Sequence, residues 1–201
     1  MSKRTTELLT CPTCNHKSSF NQYHRIDAVH LPHLKQEIID WDLFNFSCLN
    51  CGFQYLIPYE TVYYDITKGL EIYYLPTLTT QAYNNLRWST AHYLRVVTDM
   101  EAFVEKVQIF EAGYDDRVIE MMKYILAPKE EEDIQFDYDQ MVFTKVGEGN
   151  YQFMFIRETE AVASLQFSQE FYDSLQLEYG RKFTETYIVD KSWAYKFISK
   201  F

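Results

Sequence analysis

Long hydrophobic runs are missing from this sequence of 201 residues. A helix that crosses a bilayer needs about 20 consecutive apolar residues, and the apolar runs here are far shorter. The first ten residues, MSKRTTELLT, contain no hydrophobic segment of the kind found in signal peptides. These absences predict a cytoplasmic protein without a secretory leader or a membrane anchor.

An excess of basic residues is also missing. The chain has 19 Lys and Arg against 29 Asp and Glu, a net charge of −10, and residues 128–201 have 8 basic and 14 acidic side chains. Proteins that bind nucleic acid neutralise phosphates with Lys and Arg. The negative net charge therefore argues against a nucleic-acid partner. The acidic last third suits a basic protein partner instead.

The common catalytic motifs are absent as well. There is no G-x-S-x-G, no phosphate-binding loop, no H-E-x-x-H and no G-x-G-x-x-G. The adjacent Asp115 and Asp116 could serve in acid–base catalysis, but they stand where a helix is predicted to begin, so helix capping is the favoured role. No catalytic residue is assigned, and the sequence leans away from an enzyme. An enzyme with a pocket between its N- and C-terminal parts stays open as an alternative.

Cysteine is infrequent but strongly patterned, because all four cysteines occur in two C-x-x-C pairs: Cys11, Cys14, Cys48 and Cys51. Each pair is followed by a residue that tolerates positive φ, Asn15 in one and Gly52 in the other. Pro12 presets φ for the first turn. These features are typical of zinc knuckles, in which a tight turn points backbone N–H groups at the thiolates.

Two knuckles together predict one tetrahedral site with four thiolates, the closed arrangement of a structural zinc ion. Iron is an alternative, since four thiolates suit it too. A thioredoxin-like redox pair would fit CPTC alone, but it needs a helix that starts at the pair, and the following residues are typical of a strand. The histidines near the knuckles, His16, His24, His30 and His33, are predicted to lie outside the metal shell.

The remaining pattern predicts an α+β fold. Strands are predicted in residues 17–26 and 42–66, with a short inserted helix after Pro32 and a hairpin turn at Gly69. Thr98 and Glu101 are typical of a capping box. They begin a helix that ends at Gly113, and a second helix follows, with its inner face formed by Val118, Met121, Met122 and Ile125.

The C-terminal region is predicted to be α/β. Strands are expected near residues 140–145, 151–157 and 161–167, followed by a helix that Ser168 caps. The spacing of Trp193, Phe197 and Phe201 by four residues predicts a last amphipathic helix. The charged run KEEED at 129–133 is the clearest linker. The predicted domains are therefore residues 1–128, a zinc-ribbon-like β module plus an αα-hairpin, and residues 134–201, which are either separate or packed on the first as one unit.

Three stretches of the chain resemble the CpXC family, microbial proteins named for paired knuckles of the C-P-x-C type. These stretches are LTCPTCNH, LKQEIIDWDLFNFSCLNCGF and VEKVQIFEAGYDDRVIEMMK, within residues 7–127. In the second knuckle, Leu49 stands where proline is common. The ring that would fix φ is therefore missing there, but all the cysteine ligands are present. The resemblance implies a zinc-ribbon-like module with β-strands and a helical hairpin, and it implies no particular activity.

The combined expectation is a zinc-binding protein that acts as a protein-interaction or regulatory module. The alternatives are a nucleic-acid-binding zinc-ribbon protein and the enzyme described above. A four-cysteine shell leaves no open position for water or substrate. Function is therefore expected at the surfaces that the metal holds in place.

Overall fold

The computed structural model describes residues 3–78, 92–128 and 136–201, and it divides the chain into two compact units, residues 1–107 and 108–201. The predicted KEEED linker lies outside the described residues, as does most of the irregular connection predicted at 77–90. The domain limits predicted at 128 and 134 stay a prediction. Within the described ranges, no helix is both long and apolar enough to span a bilayer.

The first unit is mainly β-structure. Its elements are β1 (Lys3–Thr10), β2 (Lys17–Asp27), α1 (His33–Ile39), a 3₁₀ turn (Asp42–Phe44), β3 (Asn45–Ser47), β4 (Gln54–Leu56), β5 (Thr61–Asp65), β6 (Leu70–Tyr74), β7 (Tyr93–Val97) and α2 (Met100–Glu111), whose last turn belongs to the second unit.

Five strands form a mixed sheet in the order β1-β2-β5-β6-β7. The pairs β1/β2 and β5/β6 are antiparallel, whereas β2/β5 and β6/β7 are parallel. Because β2 pairs with β5 only at Ile26 and Asp27, most of β1 and β2 form a two-stranded ribbon. A second ribbon, β3 and β4, is a separate antiparallel pair.

Aromatic rings join these elements into one core. Phe44 is fully buried in the 3₁₀ turn and contacts the rings of Tyr59, Tyr74 and Phe103. Phe20 of β2 packs edge-on against Phe46 of β3, at 6.4 Å between ring centroids. Packing between aromatic rings therefore helps to hold the two ribbons together.

Helix α2 has the predicted apolar face, but its cap differs by one residue. Met100, Phe103, Val104, Val107 and Phe110 are all buried. The carboxylate of Asp99, not Thr98, accepts a hydrogen bond from the backbone N–H of Ala102 at 2.9 Å, and the helix begins at Met100. Asp and Thr both cap well, so the pattern alone did not place the boundary.

The second unit combines helices with a three-stranded antiparallel sheet in the order β10-β9-β8. Its elements are α3 (Asp116–Leu126), β8 (Gln140–Lys145), β9 (Tyr151–Arg157), β10 (Glu160–Gln166), α4 (Gln169–Tyr179), a 3₁₀ turn (Gly180–Lys182) and α5 (Lys191–Ile198). Helix α3 packs against α4 and α5. The core includes Met121, Met122, Phe143 and Phe153, each fully buried.

Two apolar residues of this unit do not have the predicted placement. Ile125 was predicted on the inner face of α3, but it is 40% exposed near the end of the helix. Phe201 was predicted in the last amphipathic helix, but α5 ends at Ile198 and Phe201 is 66% exposed. Helical spacing places a residue on a face, but near a helix end the facing element need not extend far enough to cover it.

Candidate metal centre

The first cysteine pair lies in the turn between β1 and β2. Thr10 pairs with Lys17 at the end of the ladder. Beyond it, the N–H of Cys11 donates to the carbonyl of His16, and the N–H of Asn15 donates to the carbonyl of Cys11, both at 2.9 Å. Asn15 has φ 59°, the left-handed conformation expected from its side chain. The turn therefore has the knuckle geometry predicted for it.

The second pair repeats the same hydrogen bonds in the turn between β3 and β4. The N–H of Cys48 donates to the carbonyl of Phe53, and that of Gly52 to the carbonyl of Cys48, both at 2.9 Å. Gly52 has φ 71°, and a Cβ there would meet nothing within 4 Å. The backbone conformation, not crowding, is therefore the reason for glycine at this position.

The two turns bring all four sulfur atoms together. The Sγ atoms of Cys11, Cys14, Cys48 and Cys51 lie within 4.8 Å of one another. Two separations that join one turn to the other, Cys11 to Cys51 and Cys14 to Cys48, are each 3.6 Å. A tetrahedral zinc site with Zn–S bonds of about 2.3 Å has sulfur atoms about 3.8 Å apart. The cluster therefore has the right size for a single tetrahedral ion.

The thiols are free and unequally covered. Cys11 and Cys48 are buried, whereas Cys14 is half-buried and Cys51 is exposed. A disulfide needs a sulfur–sulfur bond of about 2.05 Å, far below the 3.6 Å separations between the turns. Four close thiols without a disulfide are the donor set that a thiophilic metal requires.

Two polar contacts connect the turns, and the sequence did not indicate either of them. Ser18, which is 2% exposed, accepts a hydrogen bond from the N–H of Leu49 at 3.2 Å. The side chain of Asn50 in the second turn hydrogen-bonds to Cys14 in the first. In the sequence, Asn50 was marked only by its position: a polar residue precedes the second cysteine of each pair, Thr13 in the first and Asn50 in the second.

Hydrogen bonds from the turns set the acidity of the thiols. The backbone N–H of Cys51, with that of Asn50, lowers the pKa of Cys48 to about 6. The side chain of Asn50 and the backbone of His16 lower the pKa of Cys14. At Cys51 the N–H of Phe53 acts in the same direction, but the neighbouring thiols, together with partial desolvation of the sulfur, outweigh it and raise the pKa to about 12.

These directions follow from crowding several potential thiolates around one point. The N–H groups favour ionised sulfur, whereas neighbouring sulfur atoms oppose a further negative charge. A cation at the centre would remove that repulsion, so ligand ionisation and metal binding are coupled, and binding releases protons. The donor set and its spacing therefore fit a metal ion.

The other sequence candidates lie elsewhere or have structural roles. Among the described residues, the group that could hold a metal consists of the four cysteines. The Nδ1 of His30 lies 2.8 Å from the Asp27 carboxylate. Asp115 caps α3 through the N–H of Arg117 and forms a two-pronged ion pair with that guanidinium. The favoured capping role is confirmed for Asp115.

The redox alternative required a helix that begins at the first pair. The chain after Cys14 instead enters strand β2 at Lys17, and the second pair lies against the first. The arrangement therefore lacks the frame of a thioredoxin-like pair.

The fold and the site place this chain in the class of α+β proteins with a candidate four-cysteine metal centre. Two hairpin turns bring the four cysteines together. The chain is a member of the CpXC protein family, whose model matches residues 9–123 and thus includes both cysteine pairs. This match confirms the resemblance found in the sequence. Comparison with curated proteins and with solved structures gives no match.

Proposed function

We propose that Cys11, Cys14, Cys48 and Cys51 bind one zinc ion with a structural role. The observation that carries the proposal is the convergence of two equivalent turns, with four Sγ atoms within 4.8 Å. Pro12, Asn15 and Gly52 support the ligands by shaping the turns. Four protein ligands close a tetrahedral shell, so the ion would have no open position for a substrate.

A structural role agrees with the size of the two ribbons. A two-stranded ribbon is at best marginally stable in water, and β3 and β4 contain only three residues each. The ion would connect the tips of both ribbons in addition to the ring contact between Phe20 and Phe46. A reducing compartment such as the cytoplasm would keep the thiols available for the metal.

Elemental analysis of the purified protein tests the metal. We expect one zinc per chain and no stoichiometric iron, and we expect Cys48→Ser to lose most of the metal because it removes a buried ligand. Leu49→Ser is the matched control, since Leu49 is adjacent, 82% exposed and not a ligand, and it should retain one zinc. Stoichiometric iron, or full zinc content in Cys48→Ser, would contradict the proposed site.

We further propose that the protein is a protein-interaction or regulatory module. Four apolar side chains are exposed on and beside the second knuckle: Leu49, Phe53, Tyr55 and Leu56, which are 82%, 38%, 36% and 45% exposed. The rings of Phe53 and Tyr55 lie 5.8 Å apart between centroids. Exposed apolar groups that lie together are a common feature of interaction sites. The acidic last third of the chain would favour a basic partner and make association depend on salt.

Capture of partners from native lysate tests this role. The zinc-loaded protein should retain a specific partner, with less retained as salt rises. The double variant Leu49→Ser/Leu56→Ser should lose that partner, whereas Leu177→Ser, which alters a leucine 85% exposed in the second unit, should retain it. Recovery of the protein alone at every salt concentration, or equal capture by the double variant, would count against the proposal.

A further inference from the structure

Strand β1 is the outermost strand of the first sheet, and among the described strands only β2 pairs with it. Every residue of β1 is exposed except Leu9, which is intermediate. The strand contains no proline, and its pairing with β2 is irregular only between Lys3 and Arg4. An edge strand exposes a row of N–H and C=O groups that can pair with another strand.

The direction of the backbone groups on β1 follows from the turn beyond it. The N–H of Cys11 donates to His16 across the ribbon, and the direction of these groups alternates along a strand. Odd-numbered residues of β1 therefore direct N–H and C=O toward β2. Arg4, Thr6 and Leu8 direct theirs toward the open edge, where they can form a new ladder.

We propose that this edge pairs with β1 of a second copy of the chain, antiparallel about a two-fold axis. Lys3 begins the strand and Glu7 lies four residues further on. Both side chains point to the same face, because successive side chains of a strand alternate between its two faces. With the axis at Thr5, Lys3 of each copy lies directly opposite Glu7 of the other. With the axis at Thr6, the same two side chains are diagonal neighbours. Either position makes the pairing self-complementary in charge.

Local charge also permits two copies to approach at this strand. The whole chain has a net charge of −10, which opposes self-association. Residues 3–27 differ from the rest, with four basic side chains against two acidic ones. The stretch that contains β1 therefore does not share the acidic excess of the whole chain.

The paired surface is one strand wide, so the dimer should be weak. Stable interfaces bury about 1,600 Å² in total, and weak or transient ones bury less. Association should therefore become visible only at high protein concentration. The metal site lies beyond Thr10, at the end of the ribbon opposite Lys3. It does not depend on this contact.

Sedimentation equilibrium of the zinc-loaded protein over a wide concentration range tests the proposal. The wild type should show a reversible monomer–dimer equilibrium. Lys3→Glu and Glu7→Lys should each weaken the dimer about tenfold, because each replaces two attractive pairs with repulsive ones. The double variant Lys3→Glu/Glu7→Lys should restore association, since the pairs are then re-formed with the charges exchanged.

Thr6→Pro provides a second test that does not depend on charge. Its missing N–H faces the open edge, so β2 pairing and zinc content should persist while the dimer is lost. A wild type that stays monomeric at all concentrations would overturn the proposal. So would a dimer that survives Thr6→Pro, or a double variant that associates no better than the single variants. Zinc content, measured on each variant, separates failure of the edge from failure of the metal site.

Discussion

Removal of the proposed zinc ion with a strong chelator should unfold the first compact unit. A structural zinc contributes about 10 kcal/mol or more of apparent folding free energy, against a total stability of about 5–15 kcal/mol for a typical domain. The two ribbons have little independent stability, because each has only two strands over most of its length. Loss of the ion should therefore reduce the free energy of unfolding of this unit to almost zero.

Far- and near-UV circular dichroism, recorded before and after chelation, checks this result. Amide exchange locates it: protection at Tyr63 and Ile72, which are fully buried in the first sheet, should disappear. The second unit has its own core around Phe143 and Phe153 and contains no cysteine, so exchange there shows whether the chelator acts generally. Unchanged spectra after verified removal of zinc would contradict a structural role.

Replacement of Phe44 by alanine should destabilise the zinc-loaded protein by about 3–5 kcal/mol, the usual cost of deleting a buried ring. Phe44 is fully buried, and its ring lies 5.2 Å from that of Tyr59 and 5.9 Å from those of Tyr74 and Phe103 between centroids. The substitution would leave a cavity where the 3₁₀ turn, the sheet and helix α2 meet. Urea unfolding with excess zinc, followed by a probe in the first unit, measures the loss.

Phe53→Ala is the control for this substitution. Phe53 is 38% exposed on the second knuckle and has one ring neighbour in the structure's described part, Tyr55 at 5.8 Å. Its removal should cost much less than removal of Phe44, and both variants should retain one zinc. Equal stability losses for the two variants would mean that the ring contacts of Phe44 do not form the core of this unit.

The knuckles could be predicted from the sequence because their determinants are local. Two C-x-x-C pairs, each followed by a residue that accepts positive φ, specify the turn and the direction of the thiols. Asn15 and Gly52 have that conformation, with φ of 59° and 71°. Gly69 at φ 59° likewise forms the turn predicted between β5 and β6.

Other features could not be predicted because they depend on distant parts of the chain. Trp41 has φ 69° after helix α1, a conformation that local preference assigns to glycine or asparagine. The contact of Ser18 with Leu49 joins residues 31 positions apart. Strand β1 was not predicted, and its exposure pattern lacks the alternation that indicates a half-buried strand.

The sequence by itself determined the four cysteines, their two turns and the α+β class, because these follow from spacing and backbone preference within a few residues. Only the tertiary structure decided that the two turns meet, with 3.6 Å between the sulfur atoms of Cys11 and Cys51 and of Cys14 and Cys48. It also decided that the Asn50 side chain contacts Cys14 and that β1 lies at the edge of its sheet. Those facts depend on which strands become neighbours. Strand neighbours are selected by packing between residues far apart in the chain, which no short stretch of sequence contains.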